Sequence, residues 1–107
     1  MKIEKSVYDR VVAITADYSR MQKLIGSGEL TREQTATFVK ELTAIDNALT
    51  VVCDREREEV KRALLVDIAE RRGYERSVSR SVFGSKKVFD RRKGQAVMLI
   101  ARMLDLI

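Results

Sequence analysis

The sequence predicts an all-α protein: an N-terminal antiparallel helical hairpin followed by a three-helix helix-turn-helix domain. Three observations predict it. The 107 residues include no proline and only five glycines, so little in the chain stops a helix. Apolar residues recur with alternating spacings of four and three through two long stretches, the period of a helical seam and not of a strand. Charged residues make up 35% of the chain, which suits long exposed helical faces, while 45% apolar residues leave enough for a core.

Residues 4–25 read as one helix. Val7, Val11, Ile14, Tyr18, Met21 and Ile25 form its seam, and Asp9, Asp17, Arg20 and Lys23 fall on the wet side. Gly26-Ser27-Gly28 ends it, because glycine tolerates the left-handed conformation of a C-cap. Thr31-Arg32-Glu33-Gln34 fits a capping box and opens the second helix. There Phe38, Leu42, Ile45, Leu49 and Val52 continue the seam. Two such helices joined by a short loop make an αα-hairpin over residues 1–53, a unit for packing or oligomerisation.

Six consecutive charged residues, 54–59, interrupt the pattern. A break near 53–54 is expected, with Asp54 as N-cap and Glu56, Glu58 and Glu59 favoured by the dipole in the first turns. The other reading is a solvated turn of one long helix. Val60, Ala63, Leu64, Asp67 and Ile68 then mark an inner face that runs to Arg71-Arg72-Gly73, with Gly73 as the residue after the cap. Residues 75–82 read as a short helix with Val78 and Val82 inward and Ser79 at the helix crossing. Phe83-Gly84 form a turn, and Ser85 caps a last helix over roughly 86–105. Phe89 plugs back toward Val78 and Val82. From Ala96 to Ile107 only Arg102 and Asp105 are polar, so this helix is buried or self-associating.

Charge is divided along the chain. Residues 1–70 carry 11 Lys/Arg and 13 Asp/Glu, whereas residues 71–107 carry 10 and 3. Residues 76–93 hold seven cations: Arg76, Arg80, Lys86, Lys87, Arg91, Arg92 and Lys93. Such a run repels itself unless an anion relieves it, and Lys86 and Lys87 sit where the helix dipole disfavours cations. A solvated helix end is the plain alternative. A basic leading end on a rooted helix suits the DNA major groove. The expected contacts are Lys86, Lys87, Asp90, Arg91 and Lys93, with Ser85 and Arg80 toward the phosphates and Arg76 also among the DNA-binding residues.

These residues carry a resemblance. From about Glu56 to Ile107 the chain resembles the sigma-factor region-four type of helix-turn-helix. More narrowly, it is similar to small phage and prophage transcriptional regulators of the ArpU type. The shared features are the charged start Asp54-Arg55-Glu56-Arg57, the aromatic Tyr74 and the pattern of Ser85, Phe89, Arg91, Arg92 and Lys93. An apolar C-terminal helix completes them. The chain departs from the pattern in having Phe83 where such turns carry glycine, with Gly84 one place later. The resemblance implies a helix-turn-helix domain over 54–107, double-stranded DNA as ligand and host RNA polymerase as a further partner.

Other classes fit less well. Cys53 is the only cysteine and there is no histidine, so an internal disulfide is excluded and no metal, cofactor or catalytic site is expected. Cys53 reads as a small buried hydrophobe. No signal peptide or membrane span is legible, and a cytoplasmic protein is expected. The alternatives are a helical protein-binding adaptor or inhibitor of phage origin, or a DNA-packaging recognition subunit. A homodimer is expected, because the apolar last helix exceeds what a small three-helix unit can cover. Its competitor is a compact monomer in which that helix folds back between the two hairpin helices.

Overall fold

A computed structural model of the chain describes residues 3–53, 58–77 and 80–107, with backbone alone at 80 and 81. The described residues are helical, with no strand among them. The elements are α1 (Lys5–Ala16), α2 (Tyr18–Ser27), α3 (Arg32–Val52), α4 (Glu58–Ala69), a 3-10 turn (Tyr74–Arg76), α5 (Arg80–Phe83) and α6 (Lys86–Met103).

The expected first helix is divided at Asp17. There the backbone takes φ −87°, ψ 1°, and the Asp17 N–H donates to the Ile14 carbonyl at 3.1 Å. The division follows the packing: α1 lies against α4 and α6, while α2 lies against α3. A straight helix could not serve both neighbours. Val12 and Thr15 are buried beside the predicted seam residue Val11 because α1 faces two partners. The Thr15 hydroxyl is satisfied by donating to the Val11 carbonyl at 2.7 Å. Between α2 and α3, the Tyr18 hydroxyl donates to Asp46 Oδ1 at 2.7 Å. Burial, and then the Asp46 carboxylate, push the Tyr18 pKa up to about 12.

Helix ends follow the local chemistry. Gly28 ends α2 in the left-handed region at φ 73°. Thr31 and Gln34 form both halves of the capping box of α3. α3 stops at Val52 with Cys53 as its C-cap, and Cys53 is fully buried. Asp54, Arg55, Glu56 and Arg57, including the expected N-cap, lie outside the described residues. At the end of α4 the left-handed position falls on Arg71 (φ 55°) and not on Gly73. The N–H groups of Arg71 and Arg72 then close back on the carbonyls of Ile68 and Asp67, a Schellman arrangement. That conformation costs a side-chain-bearing residue roughly 1 kcal/mol. Opposing this, Arg71 Nη2 donates to Asp9 Oδ1 at 2.8 Å and its guanidinium lies over the Tyr8 ring, which ties α4 to α1.

Residues 75–82 are not one helix. The 3-10 turn ends at Ser77, which is extended (φ −68°, ψ 137°), and α5 begins at Arg80. The cause is a buried tether: the Ser77 hydroxyl donates at 2.7 Å to Oδ2 of Asp67, whose side chain is wholly buried in α4. Val82 is 43% exposed, contrary to its expected inward position, and Val78 and Ser79 lie outside the described residues. Phe89 is fully buried, but against Tyr74 and Phe83, whose ring centroids lie 5.9 and 6.3 Å from its own. The shifted Phe83-Gly84 pair thereby finds its use. Phe83 packs on Phe89, and Gly84 makes the turn at φ 74°.

One core joins all of this. Val11, Met21, Ile45, Leu49 and Val52 from the N-terminal half pack with Leu64, Ile68, Phe89, Val97 and Ile100 from the C-terminal half. α6 packs most extensively on α3 and next on α1. Its apolar face, with Ala96, Val97, Ile100 and Ala101 all fully buried, is filled within one chain. That is the folded-back arrangement, and it leaves this face unavailable to a second copy.

Phe89→Ala should destabilise the protein by about 3–5 kcal/mol through lost transfer energy and a cavity beside the Tyr74 and Phe83 rings. Chemical denaturation followed by circular dichroism measures it. An unchanged midpoint would show that this cluster does not anchor α6.

Candidate nucleic-acid interface

α6 is a rigid mount for its side chains. Ser85 caps it, accepting from the Val88 N–H at 3.3 Å, and its inner face is buried from Phe89 to Ala101. Position along and around the helix then sorts the basic run into two groups: Lys86 shares a stripe with Lys93 but precedes the packed turns.

The first group points outward. Lys86, Lys87, Asp90 and Arg91 are exposed, as are Ser85 and, on the 3-10 turn, Arg76. Lys86 Nζ donates to Asp90 Oδ2 at 2.6 Å, an exposed i,i+4 pair. That hydrogen bond, then the carboxylate's charge, raises the Lys86 pKa above its usual value. Asp90 thereby relieves the conflict between a first-turn cation and the helix dipole. Lys87, Arg91 and Arg76 have no ion-pair partner among the described residues. Arg80 opens α5 close by in the chain, and its side chain lies outside the described residues.

The second group points inward and is used by the fold. Lys93 is half-buried, donates to the Arg72 carbonyl at 2.9 Å and lies 5.9 Å from the Phe89 ring centroid. Arg92 is half-buried and donates to the Val52 carbonyl. Arg92 therefore meets the carbonyl of the last residue of α3, and Lys93 a carbonyl three residues past the end of α4, places where the C-terminal dipole favours positive charge. Lys93 was expected among the nucleic-acid contacts. The fold instead separates it from Lys87 and Arg91 and gives its ammonium an internal partner.

The outer face continues past Arg91 in a way that the charge pattern of the sequence does not reveal. Gly94, Gln95 and Arg102 are exposed there, and Met98 is half-buried. Gly94 is the informative one. A Cβ at this position would meet nothing within 4 Å, so the fold does not need glycine. In a helix interior it costs roughly 0.5–1 kcal/mol relative to alanine. The signal that could have found it is a single glycine inside an otherwise strong helix-forming stretch.

No family model matches this chain, and neither a curated protein nor a solved structure matches it. No helix among the described residues is long and apolar enough to cross a membrane.

The sorting of the cations yields a stability test. Lys93→Ala should lower stability by about 1–2 kcal/mol, since it leaves a half-buried carbonyl without its charged donor. Lys87→Ala and Arg91→Ala should each stay within about 0.5 kcal/mol of the parent. Thermal melts of the three variants compare them directly. Equal losses would contradict the division into inner and outer cations.

Proposed function

We propose that the protein binds double-stranded DNA through the outer face of the N-terminal half of α6. Lys86, Lys87 and Arg91 approach the duplex, with Ser85, Arg76 and Arg80 toward the phosphates. The observation that carries this reading is the exposed set Lys86, Lys87 and Arg91 on a capped helix whose opposite face is locked in the core. Cations held on a rigid rod can enter a major groove without losing much conformational freedom. Asp90 stands among them as an acceptor suited to a cytosine amino group, and Arg91 as a donor suited to guanine. A role in transcription, of the phage-regulator kind, and any pairing with RNA polymerase rest on the sequence resemblance.

A homodimer would read two half-sites about one helical turn apart. With the inner face of α6 filled inside the chain, such a dimer would pair through another surface. Light scattering at tens of micromolar decides the point: a mass near 12.2 kDa rejects the dimer and the palindromic site with it.

DNA affinity tests the assignment. Arg91→Ala should cost about 1–3 kcal/mol at one base position if it reads guanine. Lys87→Ala should weaken all sequences alike and reduce the salt slope by about one. Fluorescence anisotropy with labelled duplexes across a salt series measures both. Unaltered affinity for both variants at about 100 mM salt would sink the proposal.

A further inference from the structure

Asp90 is the only carboxylate between Glu75 and Asp105 in the sequence, and it stands among the outward cations of α6. On the helix surface its neighbours are Lys86 and Lys87 one turn before and Gly94 one turn after. Gly94 has no side chain to cover the carboxylate from that side, and Asp90 is exposed. The fold gains little from an acid here. The helix dipole favours negative charge in the first turn, and Asp90 lies in the second. Its pair with Lys86 has the cation N-terminal to the acid, the weaker order at i,i+4. The two side chains are 72% and 50% exposed, so water competes for both and the pair opens easily. Toward a phosphate backbone the acid is a cost, since it repels what Lys87 and Arg91 attract. In a major groove, however, a carboxylate can accept from the cytosine amino group. The adenine amino group lies beside N7, an acceptor that a carboxylate repels.

We infer that the Lys86–Asp90 pair is a latch that discriminates between DNA sequences, an inference that rests on the DNA reading above. On a random duplex the latch stays closed. Lys86 is then occupied by Asp90, with 2.6 Å between ammonium and carboxylate, and the acid holds phosphates off. Where a cytosine faces position 90, Asp90 accepts from its amino group and Lys86 is released to a phosphate. Lys86 lies about 6 Å back along the axis, on the same stripe as Asp90, so one side chain can turn to the backbone while the other meets a base edge. The exchange gives up one exposed ion pair and gains a base contact and a phosphate contact. Lys87 and Arg91 attract DNA in both states. The latch therefore lowers affinity for random sequence and widens the gap to a matched site.

Selection from a pool of randomised duplexes tests it, with the parent and Asp90→Asn carried in parallel. The parent should return a fixed cytosine at one position, and Asp90→Asn should lose it in favour of adenine, which an amide reads. Anisotropy across a salt series then compares the selected duplex, the same duplex with T·A at that position, and a random-sequence duplex. The parent should prefer the selected duplex to the T·A duplex at least about fivefold. Its salt slope on the selected duplex should exceed that on the random one by about one. Asp90→Asn should bind the random duplex at least about threefold tighter than the parent does. The double change Lys86→Met with Asp90→Asn leaves net charge unaltered. It should stay within about twofold of the parent on the random duplex yet lose the cytosine preference, which a pure charge effect would not do. Circular dichroism should show the fold retained, since both residues are exposed. The latch is overturned, with the DNA reading left standing, if the parent selects no cytosine. Asp90→Asn keeping the cytosine preference, or binding the random duplex no tighter, overturns it in the same way. A parent that binds no duplex at all overturns both.

Discussion

The burial of one face of α6 is the constraint on which the rest of this structure depends. Phe89, Ala96, Val97, Ile100 and Ala101 are all removed from water, and α3, α1 and α4 all pack against this helix. At roughly 25 cal/mol per Å² of apolar surface, a face this size is a large share of what a small domain gains on folding. No other helix among the described residues touches so many neighbours. The two halves of the chain therefore meet around α6, and α1 is turned away from α3 at Asp17 to reach it.

The same helix reconciles a basic run with a compact fold. Seven cations in residues 76–93 would repel one another if all faced one way. Their positions along and around α6 prevent that. Arg92 and Lys93 fall on the inner side, where each meets a carbonyl near the end of a neighbouring helix. There the positive charge is an asset, since it satisfies oxygens that have no helical partner. Lys86 is matched by Asp90 four residues on. What remains outside is a smaller group, Lys87 and Arg91 with Arg76. The separation explains how a chain with an excess of positive charge in its last third can still pack that third tightly.

Much of this was legible from short-range chemistry. The Thr31 box, the Gly28 stop and the Ser85 cap depend on residues within one turn of each other, and each stands as read; the buried Cys53 follows from its residue type. The features that escaped depend on distant partners. Nothing near Asp17 announces a break; it comes from α1 and α2 facing different helices. Ser77 leaves the helix because of Asp67, ten residues away. Arg71 takes the left-handed position that Gly73 was expected to fill, and its partners Asp9 and Tyr8 lie more than sixty residues earlier. For the site, the sequence showed which residues were basic but not which side of the helix each occupied. The register of Phe89 settles that, through Tyr74 and Phe83 and not through Val82.

Gly94 shows how stability and surface are divided on this helix. Every fully buried position of α6 carries a side chain that the core uses, down to Ala96 and Ala101, whose small size lets α3 and α1 come close. The outer face obeys no such rule. It combines a glycine that weakens the helix, the cations Lys87 and Arg91, and a half-buried methionine beside an exposed valine. For the isolated chain, alanine at 94 and a polar residue at 51 would be the better choices. Local choices that conflict with the stability of the fold are expected where a surface meets something else. Here the conflicts gather on and beside the one face of α6 that the core does not use, the face along which the DNA proposal is drawn.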